Sequence, residues 1–245
     1  MIFIPTIYLS PSTQEFNPYF GGGNEEQYMN LVADAMIPYL NSSGIKFVRN
    51  TPDMTAASSI RASNSGRYDF HLALHSNASN TGNARGAEFY YYPYSYNGTR
   101  AAEIFANNFK LIYPEPSLVE TVATTTLGEV TRTRAPAVLA EVAYHDNPDD
   151  AEWIREKIDK IAENLVLSLT DYFGIPFVLP SESKTVTVNT PRGGNLNIRE
   201  APDIEAQIVG KAPNKSLLNV INRMQEWTKI NYKGVIGYVN NNFIN

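Results

Sequence analysis

The stretch 135–154, APAVLAEVAYHDNPDDAEWI, constrains this chain more than any other. It opens on a short apolar run, residues 137–140, of the kind a buried strand carries. A single carboxylate, Glu141, then stands inside continued strand-like sequence. Asn147, Pro148, Asp149 and Asp150 follow, in the order of an N-cap, a proline at the first helical position and acids in the first turn. Trp153, Ile154, Ile158, Ile161 and Leu165 supply the apolar face of the helix that starts there. The pattern is buried strand, loop, helix. Glu141 and His145 therefore fall near the carboxyl end of a strand, where an open α/β sheet places its ligands. A carboxylate late in a buried strand is costly unless it is paired or used. Two readings stand: catalysis, or a structural Glu bonded to backbone or to Arg132 or Arg134.

Upstream, strands and helices alternate. Residues 2–9, 45–48, 68–74 and 87–92 read as strands, the last as an edge strand. Residues 24–40, 54–65 and 100–112 read as helices, the first with Met29, Val32, Ala33, Met36 and Leu40 at helical spacing and Glu26 in its first turn. Residues 115–133 read as irregular and threonine-rich. This spacing predicts a mostly parallel twisted sheet flanked by helices over residues 1–174. Pro176, Pro180, Ser181 and Ser183 mark a linker over 175–184. Beyond it come only short strand candidates, 185–188, 196–199, 217–221, 227–231 and 235–239, which predict a small all-β barrel over 185–245.

Composition narrows the function. A net charge of −5 argues against a sequence-independent nucleic-acid surface. No apolar run approaches the roughly 20 residues of a membrane helix. Cysteine is absent, so there is no disulfide framework and no thiolate metal site. The N-terminal MIFIPTIYLSP has no basic segment and too short an apolar run for a signal peptide. The expectation is a protein that is cytoplasmic until released or exported by another route.

The three histidines are His71, His75 and His145. His71 and His75 share strand parity but lie about 13 Å apart along an extended strand, at roughly 3.3 Å per residue. They cannot hold one ion together. His71 reads as a packed histidine, and His75, at the strand end, as the candidate ligand. Four elements end in polar groups at one sheet edge: Thr13 and Gln14, Glu26, His75, and Glu141 with His145. An imidazole, a carboxylate and a further ligand can hold zinc with one position open. A carboxylate outside that set can take a proton from water.

Four segments make the resemblance specific: Glu26 to Leu31 at a helix start, LHSNAS at 74–79, GAEFYYY at 86–92 and PAVLAEVAYHDN at 136–147. With them, residues 2–173 resemble the zinc-dependent N-acetylmuramoyl-L-alanine amidases of phage endolysins and bacterial autolysins. The resemblance implies Glu26 and His75 as metal ligands, Glu141 as catalytic base and a sheet flanked by helices. It also implies a histidine ligand after the first strand, where this chain has SPSTQ instead, with Thr13 at roughly that position and Gln14 beside it. Gln14, a water or His145 completes the set, or the metal is weakly held. His145 stands where the family more often has an apolar residue, and its ring could orient Glu141 or polarise a substrate carbonyl. LNIREAPD at 196–203, Trp227 and GYVNNNFI at 237–244 resemble bacterial SH3-like domains, which usually bind peptidoglycan. The implied protein is a wall hydrolase that cleaves the amide between N-acetylmuramic acid and L-alanine. The alternatives are a non-catalytic wall-binding protein with a degenerate amidase fold, for which the missing histidine speaks, and a metallopeptidase acting on stem peptides.

Overall fold

The computed structural model describes residues 4–79, 81–180, 185–224 and 226–245. The first two residues of the expected first strand, Ile2 and Phe3, and residues 181–184 of the expected linker lie outside these. The chain divides into two compact units, residues 1–179 and 180–245. Residues 175–179, read above as linker, belong to the first unit. Phe177 stacks on Tyr39 at 6.1 Å, and the Val178 backbone N–H donates to Ser43 Oγ at 3.1 Å.

In the first unit β1 (Thr6–Pro11), β2 (Lys46–Arg49), β3 (Phe70–Asn77), β4 (Ala87–Tyr91), β5 (Val119–Ala123) and β6 (Ala137–Tyr144) make one sheet in the order β2-β1-β3-β6-β4-β5. All pairs are parallel except β4 with β6. Two expectations change here. The stretch 115–133 contains a strand, and β5 takes the edge that β4 was expected to hold. Its sequence, VETVA, is short and largely exposed, so it carries no buried run to announce it.

Side-chain alternation gives the sheet two distinct faces. Ile7, Leu9, Phe70, Leu72, Leu74, Val138 and Ala140 face the main core under α1 (Glu25–Ser42), α3 (Tyr96–Phe109) and α5 (Pro148–Phe173). The other face carries Ala73, Ala137 and Leu139, packed with Val130. It is covered by α2 (Ala56–Ser65) and the four-residue α4 (Gly128–Thr131). His71, His75 and Glu141 share the parity of this second, thinner face. The helix starts are capped as the sequence indicates. Asn24 Oδ1 accepts from the Gln27 N–H at 2.8 Å, and Asn147 Oδ1 accepts from those of Asp149 and Asp150. No described helix is long and apolar enough to cross a membrane.

The second unit is an antiparallel sheet in the order β7-β10-β11-β12-β8-β9. Its strands are β7 (Thr185–Thr187), β8 (Leu196–Arg199), β9 (Ile208–Ala212), β10 (Leu217–Arg223), β11 (Trp227–Tyr232) and β12 (Val235–Asn240). Val186, Val188, Leu196, Ile198, Leu218, Ile230 and Val239 form its core. β9 has no counterpart in the sequence reading. Ile208 and Val209 are exposed, and only Ala212 is buried.

Candidate active site

The carboxyl ends of β1, β3 and β6 and the N-terminus of α1 meet on the thinner face of the sheet. The first acid of α1 is the one that enters. Glu25 is 1% exposed, and its Oε1 lies 2.8 Å from His75 Nδ1. Glu26, the residue expected there, is a correction: the contact to His75 belongs to Glu25, while partial burial and the charge of Glu15 raise the pKa of Glu26. The reason is helical phase. Glu25 lies one turn before Met29 on the buried stripe of α1, with Val32, Met36 and Leu40.

Glu25 is held below the ordinary carboxyl range. Burial pushes it up, but the hydrogen bond and charge of His75, with a 2.6 Å bond from Asn17 Nδ2, outweigh that. Gln14 Nε2 lies 3.3 Å from the same His75 Nδ1, so Gln14 sits where a third ligand was expected. Thr13 and Gln14 line a cleft of about 400 Å³ with Phe16, Met54, His75 and Glu129.

Glu129 was not foreseen. It rides on α4 and is 5% exposed. Its Oε2 lies 3.1 Å from His75 Nε2. Its Oε1 lies 3.3 Å from His71 Nε2 and accepts from Ser10 Oγ at 2.5 Å. Burial would raise Glu129, yet His71 and His75 hold it far below its ordinary value. Burial likewise opposes charge on His75, and Glu129 and Glu25 still hold its pKa well above 6.5. His71 is packed as expected, fully buried, stacked on Tyr8 at 5.4 Å and bonded through Nδ1 to Ser63 Oγ at 3.0 Å.

Glu141 pairs in register with His75 across β3 and β6, and with Glu88 across β4 and β6. Its Oε2 is closed off from solvent and has no hydrogen-bond partner among the described residues. Burial, with the charges of Glu25, Glu88 and Glu129 and against that of His75, pushes its carboxyl up to about 8. Neither Arg132 nor Arg134 pairs with it: Arg134 bonds to the Asn64 backbone, and Arg132 offers its own carbonyl to Asn64. His145 is a second correction. It is 3% exposed, its Nδ1 bonds to the Ser76 carbonyl at 2.7 Å, and its ring stacks on Tyr19 at 5.2 Å. It braces the loop after β3 rather than joining His75.

Among the described residues no group of three His, Cys, Asp or Glu side chains is arranged around a single metal point. The donor chemistry nevertheless suits a divalent cation. Glu25 Oε1 and His75 Nδ1 already converge, a carboxamide stands beside them, and the far ring nitrogen meets a carboxylate, as a metal-bound imidazole commonly does. Beside them the enclosed Glu141 Oε2 finds no hydrogen-bond donor among the described residues.

A carboxylate with one enclosed, unbonded oxygen beside a histidine–carboxylate pair at the carboxyl end of a sheet is equipment that suits a hydrolase. The sequence profile of the N-acetylmuramoyl-L-alanine amidase family matches residues 17–171, and that of the bacterial SH3 domain matches residues 194–245. Solved structures agree in fold. The amidase AmiC2 of Nostoc punctiforme is 17% identical with a TM-score of 0.63, over 70% of this chain and 98% of that one. An amidase from Clostridium difficile 630 is 16% identical with a TM-score of 0.61, over 69% and 97%. The catalytic domain of CwlV from Bacillus (Paenibacillus) polymyxa var. colistinus is 14% identical with a TM-score of 0.60, over 70% and 99%. Among curated proteins there is no significant match. The chain belongs to the N-acetylmuramoyl-L-alanine amidase family. It is a peptidoglycan amidase carrying a bacterial SH3 domain, from a family that is generally zinc-dependent.

Proposed function

We propose that this amidase cleaves the bond between the lactyl carbonyl of N-acetylmuramic acid and the nitrogen of L-alanine with Glu141 as general base. Glu25 and His75 would hold a zinc ion, with Gln14 as a weaker neutral partner. When bound, zinc would polarise the scissile carbonyl and acidify a water. Positive charge beside Glu141 favours its ionised form, which is the form that accepts a proton. Glu141 takes the proton of the attacking water as the oxygen–carbon bond forms. It then returns that proton to the alanine nitrogen as the carbon–nitrogen bond breaks. The SH3 domain would hold the enzyme on the bacterial wall and raise its local concentration there.

One observation carries this reading: a carboxylate oxygen enclosed without a partner, in register with His75. An unused buried carboxylate of that kind is costly. The test is Glu141→Gln on purified walls, scored by newly released L-alanine amino termini. A loss of about 100-fold or more is expected, since general bases contribute roughly 10²–10⁴-fold. Retention of a tenth of the wild-type rate removes Glu141 from the role.

A further inference from the structure

Glu129 has no place in the motifs that carry the family resemblance, yet its two oxygens meet Ser10 and both histidines of β3. An ionised carboxylate only accepts hydrogen bonds. That fixes the direction of every bond around it. Ser10 Oγ–H donates to Oε1 at 2.5 Å and in turn accepts from Ser59 Oγ at 2.6 Å. His71 donates through Nε2 at 3.3 Å and is bonded through Nδ1 to Ser63 Oγ at 3.0 Å. His75 must then donate through Nε2 to Oε2 at 3.1 Å. Three donors from β1 and β3 converge on one buried side chain from α4. His71 and His75, too far apart along the strand to share an ion, share this carboxylate instead, one on each oxygen.

We propose that Glu129 is a positioning residue of the amidase site: fixed by Ser10 and His71, it takes the Nε2–H of His75 and thereby holds Nδ1 toward Glu25 and Gln14. The need for it follows from the SPSTQ segment. With a carboxamide where the family resemblance implies a histidine, His75 is the one imidazole of the pair facing Glu25, and its ring angle decides whether two strong donors converge. A buried network of this kind rigidifies only when every member is satisfied, and this one is. The four-residue helix 128–131 then has a clear role, which is to carry one side chain to the back of one ring. The consequence for zinc rests on the metal reading above; the consequence for the ring does not.

The experiment uses the full chain with ¹⁵N-labelled histidine, as wild type, Glu129→Gln and Glu129→Ala. In the metal-free wild type the His75 Nε2–H should appear as a slowly exchanging, downfield proton. It should weaken in Glu129→Gln, whose one amide oxygen can serve only one of the two rings, and vanish in Glu129→Ala. Zinc affinity by chelator competition should fall by about 10–100-fold in Glu129→Gln, the usual effect of losing a carboxylate behind a ligand histidine. If Glu129→Ala does not fold, Glu129→Gln decides alone. A proton that is unprotected in the wild type, or equally protected in a folded variant, overturns the positioning role. So does zinc affinity in Glu129→Gln within about twofold of a zinc-binding wild type. X-ray absorption showing an oxygen ligand lost in Glu129→Gln overturns it in favour of direct ligation. A wild type that takes up no zinc but keeps the protected proton ends the metal reading and leaves the positioning role standing.

Discussion

His75 and Glu141 occupy matching register positions on adjacent parallel strands, so the most cationic and the most proton-retentive groups of the site lie side by side on one face of the sheet. Glu88 is the register partner of Glu141 on its other flank, tied down by Asn77 Nδ2 at 2.9 Å and Tyr90 OH at 2.5 Å. Without a cation, one imidazolium faces three nearby acids, and the site relieves the excess by keeping Glu141 protonated.

That arrangement sets a pH dependence. The carboxyl titrates at about 8 in the folded protein against an ordinary value of 4.5. Between those values the folded state keeps a proton that the unfolded state gives up, so this group's contribution to stability falls as pH rises and levels off above 8. A shift of this size is worth a few kcal/mol at about 1.4 kcal/mol per unit. Glu141→Gln cannot ionise. In chelator-treated protein its melting temperature should stay close to wild type at pH 5 and exceed it by several degrees at pH 9. A difference that does not change with pH means that Glu141 is not held neutral.

The neighbouring acids at the start of α1 should separate cleanly. Glu25→Gln removes the carboxylate that meets His75 Nδ1 and would itself bind the zinc, and should lower both zinc affinity and kcat/KM by more than about 100-fold, beyond the roughly 10–100-fold of losing a partner behind a ligand. Glu26→Gln should leave both within about threefold, because Glu25 and not Glu26 lies on the buried stripe of α1 and meets His75. Zinc competition and initial rates on soluble muropeptides measure the two. Equal effects would return Glu26 to the site.

What the sequence could reveal followed periodicity. The buried run at 137–140, the capped helix after Asn147 and the apolar stripe of α1 were all legible, because each repeats a signal several times. Glu25 was legible in principle: counting back one turn from Met29 selects it over Glu26. Glu129 was not. It sits in a four-residue helix inside a threonine-rich stretch, too short for any period to emerge, and its partners come from residues 10, 71 and 75. β5 and β9 escaped for the same reason, being short, edge-positioned and mostly exposed. His145 misled because its place just beyond Glu141 at the strand end suggested the site, whereas its Nδ1 bonds to the Ser76 carbonyl and its ring stacks on Tyr19.

The two units should separate after Leu179, not after Gly174. Ile175 and Phe177 pack onto the first core, and Ser43 both accepts from the Val178 N–H and donates to its carbonyl. A chain ending at 179 should hydrolyse soluble muropeptides at near wild-type rate and lose most of its pull-down on intact walls. Ending at 174 should lower its melting temperature, because Tyr39 loses its Phe177 partner. If the 1–179 chain fails to fold, the units depend on each other.

A second pair of adjacent acids, at the start of α5, should behave like the first. Asp150 is fully buried, while the Asp149 side chain is 73% exposed. The Asp150 carboxylate accepts from the Tyr113 hydroxyl at 2.6 Å, from the Gly86 and Tyr144 backbone N–H groups at 3.1 Å each, and from Arg85 Nε at 3.3 Å. It thereby ties the start of β4 to the end of β6, the two strands that carry Glu88 and Glu141. Asp150→Asn keeps one accepting oxygen and turns an amide donor toward groups that are themselves donors. Leaving buried donors unpaired costs about 1–3 kcal/mol, and more where a charged partner such as Arg85 is involved. Asp149→Asn loses a screened first-turn charge and its exposed ion pair with Arg85 at 3.7 Å, together worth about 1 kcal/mol or less. For a unit of this size 1 kcal/mol moves the melting temperature by roughly 2–4 °C. Calorimetry should therefore show Asp150→Asn lowered by about 5–10 °C and Asp149→Asn by no more than about 3 °C. Comparable shifts for the two would mean that the helix dipole, and not the tie between β4 and β6, is what Asp150 serves.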